Sequence, residues 1–315
     1  MYRIGLDIGG TKCAVSLGKI EGSAVEIVAR EEVPTAASPV ETIEALAPYI
    51  EEFQCRGNAT TAGISCGGPL DSKRGVILTP PNLKGWHGFA IVEYVKQRFS
   101  LAAKLENDAN ACALAEWRFG AGKGTENMIF LTFGTGLGAG LILNGKLYGG
   151  TNGNAGEAGH IRLANRGPVG FGKVGSFEGF CSGGGIARLA QSMGKRQKQT
   201  PRCIEEMGGY ENITTKKLSE AAFAGDPFAC KVFAKSGDML GRGLSVLVDI
   251  LNPEKIVLGG VFMRSGELLV EAMRKRLEKE ALRESLAVCE IVGAQLKENI
   301  GDYAALAVAE GAKND

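Results

Sequence analysis

Apolar positions along the chain follow two rhythms: short runs that end in glycine, and longer stretches in which they recur every three or four residues. The runs predict strands over Arg3–Ile8, Ala14–Leu17, Ala24–Glu32, Thr61–Ser65, Ala103–Glu106, Ile129–Phe133, Leu141–Leu143, Lys255–Leu258 and Ala287–Val292. The longer period predicts helices over Pro39–Phe53, Phe89–Phe99 and Ala109–Phe119, one starting near Phe177, then Thr215–Ala224, Asp226–Leu251, Gly266–Leu282 and one from about Gly301. Ile43, Leu46 and Ile50 share one face of the first helix, with Ser38 placed to cap it. Strands interleaved with helices imply an α/β fold.

Two strand-turn-strand units carry the chemistry. In the first, Asp7 stands at a strand end and Gly9, Gly10, Thr11 and Lys12 form the turn; in the second, Gly134, Thr135, Gly136, Gly138 and Gly140 do. Glycines there let backbone N–H groups approach an anion closely. One such hairpin is ordinarily only a tight turn. The pair, with an acid beside one and hydroxyls in both, predicts two related halves that each hold one end of a polyphosphate chain. The second hairpin leads into a loop with Glu157 and His160. The turn Cys66-Gly67-Gly68-Pro69 offers main-chain groups to a ligand, which brings Gly68 into the candidate site. Pro80 and Pro81 stiffen the chain ahead of Asn82. Asn107 and Asp108 arrive at a strand end where a helix starts. As an N-cap alone Asp108 would contribute about 1 kcal/mol; its company of strand end, adjacent Asn and two glycine turns points to chemistry. Glu178 lies in the first turn of the helix near Phe177, where it also complements the helix dipole.

Composition narrows the function. A chain of 315 residues with 44% hydrophobic content can form two domains with a sizeable core. The 46 glycines exceed the usual share of about 7%, without collagen periodicity, and mark tight turns and close backbone approaches. Basic and acidic side chains balance at 36 to 35, so no strong field favours nucleic acid or an anionic membrane, and a small molecule is the expected partner. Eight cysteines without a CxxC pair, mostly in apolar surroundings, fit a reducing cytoplasm. The chain enters its first strand without a basic leader and has no apolar run near the roughly 20 residues of a membrane span, so a cytoplasmic protein with no membrane contact is expected. Lys195 to Arg202 reads as a solvated basic loop.

Taken together and in order, LDIGGTK at 6–12, PNLKGW at 81–86, ENDANA at 106–111, LTFGTGLGAG at 131–140, GEAGH at 156–160 and LGG at 258–260 resemble the ROK family, which comprises bacterial sugar kinases and related repressors. The resemblance implies the actin-like ATPase (ribonuclease H-like) fold, with two domains flanking an interdomain cleft: 1–121 plus 301–315, and 122–300 with a helical insertion. It implies ATP and magnesium as cofactors, a sugar as substrate and a homodimer. Asp108 matches the general base. Asn82, Asn107, Glu157, His160 and Glu178, with Gly68 and Asp108, match substrate contacts. Gly9, Gly10, Thr11, Lys12, Gly134, Thr135, Gly136, Gly259 and Gly260 match nucleotide contacts, and Asp7 matches an acid near magnesium, through water. An aspartate with an ordinary pKa near 3.9 is ionised at neutral pH and can accept a hydroxyl proton as that oxygen attacks phosphorus.

The sequence departs from the family in one block. Many members hold a structural zinc with a histidine and three cysteines of CxCGxxGCxE, which aligns with VGFGKVGSFE, 169–178. Val169, Phe171 and Ser176 stand at the cysteine positions, and Cys181 alone cannot rebuild a four-ligand site. No zinc is expected; apolar packing by Val169 and Phe171 is expected in its place, and some other partner must hold His160. The expected activity is that of a glucokinase-like hexose kinase. A kinase for fructose, mannose, an N-acetylhexosamine or a glycoside is the alternative within the class, and a sugar-sensing protein without catalysis the alternative outside it. His87 matches no role.

Overall fold

The computed structural model describes residues 1–312, so the last three positions of the expected 301–315 segment lie outside the described residues. The chain divides into two compact units. One comprises Met1–Glu126, Gly140–Ala155 and Ala294–Asp315; the other comprises Asn127–Ala139 and Gly156–Gly293.

The first unit opens with β1 (Tyr2–Ile8), β2 (Lys12–Glu21) and β3 (Ala24–Pro34), an antiparallel meander. Then come α1 (Pro39–Gly57), β4 (Thr61–Cys66), a small hairpin of β5 (Leu70–Asp71) and β6 (Val76–Ile77), α2 (Ile91–Phe99), β7 (Ala102–Asn107) and α3 (Asp108–Phe119). The sheet order is β3-β2-β1-β4-β7, with β4 parallel to both β1 and β7. Ser38 caps α1 as its position predicts, its Oγ accepting from the Glu41 amide at 3.4 Å. Ile43, Leu46 and Ile50 on that helix are fully buried, each worth about 2 kcal/mol of apolar burial.

The second unit contains β8 (Met128–Phe133), and β9 (Leu137–Leu143) leaves it for the first unit, where it pairs with β10 (Lys146–Leu147). The hairpin β11 (Val169–Gly170) and β12 (Lys173–Val174) follows, then α4 (Phe177–Cys181), α5 (Gly183–Gly194), α6 (Arg202–Glu206), α7 (Thr215–Phe223) and α8 (Pro227–Leu251). β13 (Lys255–Leu258) pairs in parallel with β8 and with β14 (Glu290–Gly293), and between them lie α9 (Val261–Glu280) and α10 (Arg283–Ala287). α8 packs on α9 with Gly237 and Gly241 facing the main chain at Leu269 and Met273. α11 (Ile300–Ala309) closes the first unit. Among the described residues no helix is long and apolar enough to cross a membrane.

Several boundaries differ from the sequence reading, and some of them have a clear physical cause. The glycine turn is confined to 134–136, so Gly138 and Gly140 belong to β9; a Cβ at Gly140 would overlap Ala113 and the Ala109 carbonyl of α3, which explains a glycine inside a strand. α9 starts at Val261 rather than Gly266, with a kink at Ser265, because Gly260 at φ 60° turns the chain directly out of β13. Residues 283–287 form a short helix, and the last strand starts at Glu290. Asn107, not Asp108, caps α3.

The first unit depends on how closely α11 approaches its sheet. Ala304, Ala305 and Ala309 are fully buried, and a Cβ at Gly63 on β4 would overlap the Ala305 carbonyl oxygen and the Ala309 amide nitrogen. Gly63→Ala should therefore destabilise the protein by about 3 kcal/mol, through overpacking against main chain that cannot give way. Urea unfolding measures it; a loss below about 0.5 kcal/mol would mean that helix and strand are not in such close contact.

Candidate functional site

In the first unit the site is built from strand ends. Ile8 is in register with Cys66, and Cys66 with Asn107, so β1, β4 and β7 finish side by side. Asp7, the Gly67–Gly68 turn and Asp108 follow from that row, at the carboxyl edge where parallel sheets accept ligands. A Cβ at Gly67 would lie 3.9 Å from Oδ2 of Asp108, and one at Gly68 would lie 3.2 Å from Nδ2 of Asn107. The Ala109 amide donates to Oδ1 of Asn107 at 3.0 Å and to Oδ1 of Asp108 at 2.8 Å, which holds both side chains at the start of α3. Glu106, buried beneath them, accepts from the Asn107 amide and from Nδ2 of Asn110, each at 3.0 Å. Sequence reasoning missed this residue; an acid between the core residue Leu105 and the strand-end Asn107 was the signal.

Asp7 is strongly perturbed. Its pKa is raised to about 6, first by burial, then by the negative charges of Asp302 and Asp108, against the opposing Arg30 and Lys12. Both cations are engaged elsewhere. Arg30 Nε donates to the Asp302 carboxylate at 3.2 and 2.9 Å, and Lys12 Nζ donates to Glu32 at 3.2 and 3.0 Å. The adjoining turn is closed by the Gly9 amide donating to the Lys12 carbonyl at 3.2 Å and by Thr35 Oγ1 donating to the Gly9 carbonyl at 2.7 Å.

The loop bearing Asn82 sits against the same turn, for a Cβ at Gly10 would lie 2.7 Å from the Asn82 carbonyl oxygen. Trp86, fully buried, anchors that loop and donates from Nε1 to the Ala36 carbonyl at 3.2 Å. A cleft of about 510 Å³ opens between Gly10–Thr11, Thr35–Ala37 and Pro81–Lys84. His87 is exposed outside it.

The second unit assembles its candidates around the other glycine turn. The Gly134 amide donates to the Gly136 carbonyl at 3.0 Å, and the Gly183 amide at the start of α5 donates to the Gly134 carbonyl at 2.8 Å. Gly260 packs on the Phe133 carbonyl from the other side, and its φ of 60° admits no ordinary side chain. Gly259 lies against the Phe130 ring. Glu178 reaches the turn itself: its Oε2 accepts from the Leu137 amide at 3.2 Å and would lie 2.9 Å from a Cβ at Gly136.

The GEAGH loop is laid onto the start of β9 by the Ala139 amide, which donates to the Gly156 carbonyl at 2.8 Å. It ends in a short 3₁₀ turn, Ala158–His160. Among the described residues, neither the Glu157 carboxylate nor a ring nitrogen of His160 has a hydrogen-bond partner.

The block aligned with the zinc motif differs from expectation. Val169 is 43% and Phe171 76% exposed, so they do not replace a metal by core packing. Ser176 holds the loop instead. Fully buried, it donates to the Gly170 carbonyl at 3.3 Å and caps α4 by accepting from the Gly179 amide at 3.1 Å. Cys181 is buried in α4, its thiol turned to the Ser236 carbonyl at 3.5 Å. Among the described residues no group of three or more His, Cys, Asp or Glu could hold a metal ion. The donor set at 169–181 does not fit zinc. Asp7 is an acid that could help to hold a hydrated magnesium ion.

The chain is similar to known proteins along nearly its whole length. A glucokinase from Streptomyces coelicolor is 33% identical over 305 residues, covering 95% of this chain and 94% of the relative. The structure of a ROK family glucokinase from Streptomyces griseus in complex with glucose and AMPPNP matches with a TM-score of 0.78 and 32% identity over 99% of both chains. A ROK hexokinase from Thermus thermophilus matches at 0.81 and 31% over 98% of both. The fold is the mixed α/β, two-domain actin-like ATPase fold that the motifs imply. With the ROK family model matching residues 3–312, the chain belongs to the ROK family.

Proposed function

We propose that the chain is an ATP-dependent hexose kinase, glucokinase-like in its motifs, which transfers the γ-phosphate of ATP to a sugar hydroxyl. The observation that carries this reading is the row of strand ends in the first unit, where Asp108 stands beside Asn107, Asp7 and the Gly67–Gly68 turn. In this reading Asp108 accepts the hydroxyl proton as the oxygen bonds to phosphorus and the bond to ADP breaks. Asn82 and Asn107, with the Gly68 backbone, orient the sugar, as do Glu157, His160 and Glu178; charged acceptors bind hydroxyls strongly. The Glu157 carboxylate and the ring nitrogens of His160, without hydrogen-bond partners among the described residues, suit that role. Gly9 to Lys12, Gly134 to Gly136, Gly259 and Gly260 supply nucleotide contacts. Magnesium, when bound with ATP, neutralises phosphate charge, and Asp7 would hold it through water. Since phosphoryl transfer relies on positioning and charge stabilisation, the two turns matter as much as the base. A homodimer in the cytoplasm completes the proposal.

A coupled assay of ADP release with magnesium and ATP over glucose, fructose, mannose, N-acetylhexosamines and simple glycosides tests it. Turnover with glucose or another hexose is expected. No turnover with any sugar, together with measurable sugar binding, would favour the non-catalytic sensor. Asp108→Asn should cut turnover by about 10² to 10⁴ and spare ATP affinity; unchanged turnover would remove Asp108 from the role of base.

Asp7 offers a test that needs no substrate. Its folded pKa of about 6 lies above the ordinary 3.8, so the native state holds the proton more tightly than the unfolded chain. Its contribution is therefore fully present below about pH 4 and is lost as pH rises through 6. Asp7→Asn, neutral throughout, should be more stable than the parent at pH 7 in EDTA by about 2–3 kcal/mol, and equal to it near pH 4. Denaturant curves at the two pH values that run parallel for both proteins would rule out the burial argument. Protein purified without chelators should also lack stoichiometric zinc by elemental analysis, and one zinc per chain would overturn that expectation.

A further inference from the structure

The tip of the β11–β12 hairpin breaks two local rules at one residue. Gly170 pairs with Lys173, so Phe171 and Gly172 form a two-residue turn, with φ of 42° and 75°. Turns with positive φ at both central positions favour Asn, Asp or Gly in the first. Here a phenylalanine, 76% exposed as a residue, occupies it, in a backbone region costly for a residue with a Cβ. A sequence that accepts both penalties at one position points to a use for the ring.

The ring meets the imidazole of His160. Their centroids lie 5.2 Å apart and their planes stand at 82°, the perpendicular arrangement that aromatic quadrupoles favour. The same hairpin also grips the main chain of that residue, since Lys173 Nζ donates to the His160 carbonyl at 2.7 Å. Two side chains of one hairpin thus contact the backbone and the ring of His160. The hairpin has its own anchors: the Gly175 amide donates to the Pro168 carbonyl at 2.9 Å, and Ser176 Oγ donates to the Gly170 carbonyl at 3.3 Å.

We infer that Phe171 is a positioning residue for His160, restraining the imidazole by an edge contact so that both ring nitrogens stay available to a sugar. This rests on the reading of His160 as a sugar contact. A hydrogen-bonding partner would orient the ring equally well but would occupy one nitrogen, leaving a single atom for substrate. An apolar contact restrains rotation and consumes neither. The sugar can then meet a donor and an acceptor on the same ring.

Phe171→Gly tests this without endangering the fold, because glycine is at ease at positive φ and the lost ring is exposed. The melting temperature should hold or rise. The KM for glucose should rise about tenfold, with kcat and the KM for ATP within about threefold of the parent. Phe171→Tyr should restore the parent KM. The chain has only two histidines, so His160 ring signals are identified in proton–nitrogen NMR spectra by their absence from His160→Gln. In Phe171→Gly they should lose their ring-current shift while those of His87 stay. Unmoved His160 signals would overturn the contact; moved signals with a glucose KM within twofold of the parent would overturn the positioning role. Unchanged glucose KM in His160→Gln would instead remove the sugar-contact reading on which the proposal rests, whatever Phe171→Gly does to the spectrum.

Discussion

The parallel register of β1, β4 and β7 is the constraint on which the first unit depends. Side chains alternate across a strand, so a slip of one residue would turn every side chain to the opposite face. Ile8, Cys66 and Asn107 would then no longer stand abreast, and Asp7 and Asp108 would leave their common edge. Two features hold that register. α11 seats its alanines against Gly63 at a distance that admits no Cβ. The buried Glu106 ties the end of β7 to the start of α3 through the Asn107 amide and the Asn110 side chain. Removal of its carboxylate would leave two donors without partners, a larger penalty than the pair of bonds contributes.

The electrostatics of that edge follow from the same geometry. Burial and two neighbouring acids make the charged form of Asp7 unfavourable, and the nearby cations are already paired with Asp302 and Glu32. A protein that places an acid so and does not neutralise it internally has left a demand for positive charge at its strand ends. In the proposed function a hydrated divalent cation bound with a polyphosphate would meet that demand, which joins the acid and the adjoining glycine turn in one reading.

Much of this was legible in the sequence where the cause is local. Ser38 capping α1 and the Gly134–Gly136 turn depend on residues within a few positions of one another. Errors arose where tertiary contact decides. Gly138 and Gly140 look like turn residues until α3 is laid across β9, and Asp108 looks like a cap until Asn107 is found in extended backbone at the strand end. The Arg30–Asp302 pair spans 272 positions and carries no local mark. Within the site, motif order gave the candidates. It did not reveal Glu106, nor that Glu178 turns to the Leu137 amide.

The 169–178 block shows why alignment to a motif and physical replacement of its function are separate questions. Apolar residues at two former ligand positions suggest a core in place of a metal, yet a hairpin tip has no interior to fill, and Val169 and Phe171 remain exposed. The third position does the structural work. Buried Ser176 ties the hairpin to α4 through both its donor and its acceptor, and α4 presents Glu178 to the glycine turn. A hydroxyl can take over there because the task is to satisfy one carbonyl and one amide, which needs a donor and an acceptor on one atom. A metal adds a charge and four directed bonds, but to a loop already closed by backbone pairs on either side of its turn it would add rigidity alone. Phe171 and Lys173 of the same hairpin also touch His160, whose ring nitrogens have no hydrogen-bond partner among the described residues.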